Sequence, residues 1–113
     1  MNFHKQLVIK DIQIYISKGY PVPSDVLDIA ARNGYLEIMI WLSKKYPYLK
    51  FTNDALEGAS ECGHLQVVKW LYTNNVIKNM DIKTAILYAE ENGNTSIVDW
   101  LSLTKKPTLK VII

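Results

Sequence analysis

The side chains that could do chemistry are few and scattered. Two histidines (His4 and His64), one cysteine (Cys62) and the acidic pair Glu90-Glu91 are the candidates. A general base needs a partner that orients it, and no Ser, Cys, His and Asp arrangement recurs around either histidine. His4 falls near the start of the chain, and His64 directly follows a glycine, where a turn or solvent-facing role is expected. No Lys or Arg adjoins Cys62 in sequence to depress its thiol pKa, so it reads as a small, partly exposed residue. Consecutive helix residues point about 100° apart, which leaves Glu90 and Glu91 unable to share a proton. Asn94-Thr95-Ser96 has the form of a glycosylation acceptor, but no secretory signal accompanies it, and the match reads as chance. One cysteine makes neither an internal disulfide nor a thiolate metal site. With no phosphate loop or dinucleotide glycine pattern, the residues predict no catalysis, no cofactor and no metal.

The elements that would position such residues come from length and patterning. At 113 residues, 49% apolar and 21% charged, the chain has the size and composition of a single folded domain. No apolar run exceeds the five residues of Ile38 to Leu42, and a spanning helix needs about 20 residues, so no membrane partner is expected. The first ten residues show no signal-peptide pattern, which points to an intracellular, cytoplasmic setting. Net charge is +2, unevenly spread: residues 1–22 carry +2, 105–113 carry +3, and 23–104 carry −3. A nucleic-acid binder concentrates Lys and Arg on its folded face, and here the middle is mildly acidic. Twelve Lys against one Arg, with thirteen Ile and eight Asn, point to an AT-rich coding genome and bear on source, not on fold.

Three segments of the chain repeat. Ala30-Ala31-Arg32-Asn33-Gly34-Tyr35-Leu36 leads to Trp41-Leu42, Ala59-Ser60-Glu61-Cys62-Gly63-His64-Leu65 to Trp70-Leu71, and Ala89-Glu90-Glu91-Asn92-Gly93-Asn94-Thr95 to Trp100-Leu101. The Ala, Gly and Trp-Leu landmarks all recur at 29 and then 30 residues. A partial copy lies upstream, where Ile12–Pro21 matches Ile38–Pro47 at an offset of 26. A half-unit of this kind suits a cap on a stacked array.

Each unit reads as two short helices. The first helices, Asp25–Asn33 and Asp54–Cys62, open on Asp as N-cap and close at Gly34, Gly63 and Gly93, the left-handed position that ends a helix. The second, from about Leu36 to Ser43 in the first unit, carry apolar residues at helical spacing, and Pro47 and Asn74-Asn75 break the chain afterwards. Leu49–Phe51 and Val76-Ile77 are too short to predict strands. Trp41, Trp70 and Trp100 are expected to bury on the order of 200 Å² each between units, so that Trp70→Ala would cost about 3–5 kcal/mol.

These units resemble ankyrin repeats, above all at Ala59–Leu71, which reads Ala-x-x-x-Gly-His-Leu-x-Val-Val-Lys-Trp-Leu. The usual Thr-Pro-Leu-His opening is absent, and the period is shorter than the usual 33 residues. Short units with Trp-Leu endings and Lys, Ile and Asn richness look most like the ankyrin proteins of giant DNA viruses of amoebae. The resemblance implies an all-α, short ankyrin-type solenoid of stacked helix-turn-helix repeats with reduced or absent β-hairpins. Its units would be an N-terminal half-repeat at 7–24 and repeats at 25–53, 54–83 and 84–104, followed by a basic-apolar tail at 105–113. The tail's residues read either as an arm that docks on anions or as a cap, with Leu109 and Val111–Ile113 folded back over the last unit and the lysines solvated.

In ankyrin arrays, ligands meet the loop tips and the solvent-facing ends of the first helices. Carried over residue by residue, this implicates Ser24, Arg32 and Asn33 in the first unit, Phe51, Asn53, Glu61 and Cys62 in the second, and Asp81, Lys83, Glu91 and Asn92 in the third. Phe51 and Arg32 are the expected anchors, since aromatic and Arg side chains dominate binding energies. A non-catalytic module for an unidentified protein partner is the expectation. The alternative is a structural component of a virion or scaffold, self-associating through its terminal units.

Overall fold

The computed structural model describes residues 9–74 and 76–104, and every described regular element is helical. The helices are α1 (Ile9–Ser17), α2 (Val26–Arg32), α3 (Leu36–Lys45), α4 (Asn53–Cys62), α5 (Leu65–Thr73), α6 (Ile82–Glu91) and α7 (Thr95–Thr104). A 3₁₀ turn, Val76–Asn79, replaces the ordinary loop after α5, and among the described residues no strand forms around Leu49–Phe51 or Val76-Ile77. The first helices α2, α4 and α6 pack side by side, and α3, α5 and α7 each fold back on the first helix of their own unit. The expected tail at 105–113, His4 and the start of the half-repeat lie outside the described residues.

Alanine sets the spacing of the first-helix layer. Ala30, Ala31, Ala55, Ala59, Ala85 and Ala89 are fully buried there, where a short side chain lets backbones approach. Three glycines at the reversals have φ of 74° (Gly34), 82° (Gly63) and 71° (Gly93). Gly63 is itself the C-cap of α4, while Asn33 and Asn92 cap α2 and α6 one residue before their glycines. Leu27, Met39, Leu42, Leu56, Leu71 and Leu101 fill the core with almost no exposure. In the half-unit, Ile12 is buried at 5% exposure, as its counterpart Ile38 is at 8%.

The tryptophans are partly buried against the core, as expected, while the helix starts differ from expectation. Each precedes a fully buried leucine (Leu42, Leu71, Leu101), and neighbouring helix residues diverge by about 100°, so the ring is held on the flank of the core. Trp70 meets Phe51 of the preceding loop at a centroid distance of 6.0 Å, and Trp100 meets Tyr72 of the unit before it edge-on at 5.2 Å. Asp54 is not the N-cap of α4: Thr52 is, its Oγ1 accepting from Asp54 N at 3.1 Å. The third first helix begins at Ile82, capped by Asp81, which accepts from Thr84 N at 3.2 Å and Thr84 Oγ1 at 2.7 Å. Asp25 occupies the N-cap of α2 without a side-chain capping bond.

Candidate binding face

Polar contacts lock one unit to the next, and they decide which side chains of the front remain available. Asp28, 8% exposed on α2, accepts from Thr52 N at 3.0 Å and from Thr52 Oγ1 at 2.6 Å, tying the first unit to the cap of α4. Asn53 Oδ1 accepts from Asp81 N at 3.2 Å and so ties α4 to the cap of α6. At the other end of these helices, Asn94 Nδ2 donates to Ser60 O at 2.8 Å and Glu61 O at 3.0 Å, filling carbonyls that a helix end leaves unmet. The Asn94 amide is thereby engaged in packing. His64, at the same place one unit earlier, lays its ring over Gly34: a Cβ built on Gly34 would come within 2.6 Å of Nδ1.

The eleven positions implicated by the sequence divide between the two ends of the first-helix layer. Ser24, Phe51, Asn53, Asp81 and Lys83 lie at the entry ends, while Arg32, Asn33, Glu61, Cys62, Glu91 and Asn92 lie at the exit ends. With a rise of about 1.5 Å per residue, helices of this length separate the two groups by roughly 10–15 Å.

At the exit ends, Arg32 Nη1 donates to Glu61 Oε1 at 3.0 Å, with both side chains about half exposed. That hydrogen bond raises the Arg32 pKa against partial desolvation, and the nearby Cys62 thiol adds to the rise. The fold thus brings an arginine beside Cys62, which sequence adjacency did not show. Asn33 Nδ2 donates to Ile29 O and Asn92 Nδ2 to Tyr88 O, both at 2.8 Å, so these amides serve their own helix ends. Glu91 and Cys62 are exposed.

At the entry ends, Ser24, Asn53, Asp81 and Lys83 are exposed, but Phe51 turns inward onto Trp70 and the core. The aromatic that faces solvent is Tyr48, 66% exposed, three residues earlier in a loop with no period to mark its direction. Between the tips of the first two units lies a groove of about 470 Å³, lined by Val22 and Leu49 and by Tyr48, Asp25, Lys50 and Asp54 among others. Hydrogen bonds from Thr84 hold the Asp81 carboxyl below its ordinary pKa. Glu57 is pushed the other way, first by burial and then by the charges of Asp54 and Asp81.

The repeated units, the alanine-spaced inner layer and the glycine reversals make the chain a member of the ankyrin repeat family. The family model for ankyrin repeats, in three copies, matches residues 27–110. The chain is also similar to an ankyrin repeat protein of Acanthamoeba polyphaga mimivirus, with 32% identity over 83 residues. That match takes in 70% of this chain and 12% of the relative, so the chain spans a small part of the relative's length. No solved structure matches significantly. Ankyrin repeats generally act as protein–protein interaction modules. No helix among the described residues is long and apolar enough to cross a membrane.

Proposed function

We propose that the chain is a non-catalytic protein-binding module whose partner docks on the first-helix ends and loop tips. The observation that carries this reading is the groove between the tips of the first two units, rimmed by Tyr48, Ser24, Asp25 and Asp54. Ser24, Asn53, Asp81 and Lys83 extend that surface at the entry ends, and Arg32, Asn33, Glu61, Cys62, Glu91 and Asn92 extend it at the exit ends. Phe51 supports the face from behind by holding the loop on Trp70. A face of this size offers about 500–800 Å² to a partner, near the standard single contact. The compartment proposed is the cytoplasm, that of the host if the source is viral.

The test is affinity capture from the source cell with paired charge reversals. Lys83→Glu with Glu91→Lys alters exposed front positions, and Lys44→Glu with Lys69→Glu alters the second helices. Partners lost with the first pair and kept with the second support the front. Partners kept with both, or lost only with the second pair, contradict it.

A self-assembling structural role is the second reading. It draws on the apolar cleft between α1 and α2, lined by Ile12, Tyr15, Ile16, Val26 and Ile29, and on Leu87 and Leu103, 56% and 66% exposed in the last described unit. Light scattering across concentration separates the two: a constant monomer mass removes self-assembly, and growing mass favours it.

A further inference from the structure

We propose that the groove between the first two units takes a lysine- or arginine-rich segment of the partner, an inference that rests on the protein-binding reading above. The charges of the array are sorted by layer. Between residues 23 and 104, every acidic side chain except Glu37 and Asp99 lies on a first helix or in the turn that leads into one. The second helices carry Lys44, Lys45 and Lys69. Against those acids the first-helix side carries Arg32, Lys50 and Lys83 and stays net acidic, whereas Glu37 and Asp99 leave the second helices close to neutral.

Stacking accounts for only some of those acids. Asp28 and Asp81 are held in caps and cross-unit hydrogen bonds, and Glu61 pairs with Arg32. Asp25, Asp54 and Glu57 make no hydrogen bond or ion pair through their carboxylates among the described residues. Burial first, and then the charges of Asp54 and Asp81, raise the Glu57 pKa against the opposing charge of Arg32, while Asp25 and Asp54 are the free acids that line the groove.

The groove has the shape and lining for such a cation. Its apolar part, Val22 and Leu49 with the Tyr48 ring, suits the aliphatic stem of Lys or Arg. Asp25 and Asp54 on the rim and the exposed Tyr48 face suit its charged head. Lys50 stands on the same rim, outnumbered by those two carboxylates and by Asp28 beneath them. The same charge pattern disfavours nucleic acid on this face.

The experiment selects binders to the immobilised full-length chain from a random peptide library, then measures the selected peptides, fluorescently labelled, by anisotropy. Melting curves confirm that Asp25→Asn/Asp54→Asn and Tyr48→Ala are folded; both acids are exposed, so the wild-type midpoint should be kept. The expected result is enrichment of Lys and Arg in the peptides, with binding that weakens as salt is raised. Affinity should fall about tenfold or more in Asp25→Asn/Asp54→Asn and hold in Lys44→Gln/Lys69→Gln. Neutral or apolar peptides that bind and are lost with the same front variants would overturn the basic-segment inference and leave the protein-binding front standing. Binders indifferent to every front variant would overturn both. Self-association of the chain alone, abolished by salt and by Asp25→Asn/Asp54→Asn, would assign the groove to a second copy and overturn a foreign partner.

Discussion

The reversals at Gly34 and Gly93 differ in one respect that a substitution series can isolate. Both glycines have left-handed backbone, φ of 74° and 71°, where a side chain costs about 1–2 kcal/mol. Among the described residues a Cβ at Gly93 meets nothing within 4 Å, so Gly93→Ala should cost that strain alone. At Gly34 the same atom would fall 2.6 Å from Nδ1, 2.7 Å from Cε1 and 2.9 Å from Cγ of His64. The imidazole must move, and overpacking of this kind adds about 1–3 kcal/mol. Gly34→Ala is therefore expected to cost about 2–5 kcal/mol against about 1–2 for Gly93→Ala. Urea unfolding with a common slope gives both values. Adding His64→Ala should remove the excess, leaving a double-mutant coupling above about 1 kcal/mol. Equal losses at the two glycines, within about 0.5 kcal/mol, or no coupling to His64, would refute the packing of His64 across the unit boundary.

The other expectations concern buried polar groups, the tryptophans and pH. Ser60 Oγ is fully buried without a hydrogen-bond partner among the described residues, so Ser60→Ala should raise stability by about 1 kcal/mol in the same urea assay. Asp28→Ala removes two bonds to the cap of α4 and should cost about 2–3 kcal/mol, with Asp28→Asn recovering part of it. Trp70→Ala should cost about 2–3 kcal/mol, less than for an enclosed ring, because the indole is half-buried. The folded state raises the Glu57 pKa, so its charge opposes folding above that pKa and the penalty disappears below the ordinary value of 4.5. Thermal melts should find Glu57→Gln more stable than wild type at pH 7 and equal to it near about pH 3.

What could be read from the chain in advance is what repeats within it. Ala30, Gly34 and Trp41 and their counterparts hold their spacing because each unit must offer its neighbour the same surface, and that gave the helix pairs and the reversals. Ile12 and Ile38, which match at an offset of 26, are both buried. Contacts from one unit to the next left no local pattern. Asp28 to Thr52, Arg32 to Glu61 and Asn94 to Ser60 depend on which faces of adjacent helices meet, which spacing along one helix does not show. The loop from Tyr46 to Thr52 has no period, so Phe51 could not be told from Tyr48 as the outward aromatic.

A partner bound to the front must protect the loop tips and first-helix ends of the array. Hydrogen exchange of the chain with and without a partner or selected peptide reads that directly along the backbone. Protection is expected in residues 46–54 and 80–84 and at the exposed ends of α2, α4 and α6, with α3, α5 and α7 unchanged. Protection confined to the second helices, or to the half-unit and α7, would contradict a front-binding module.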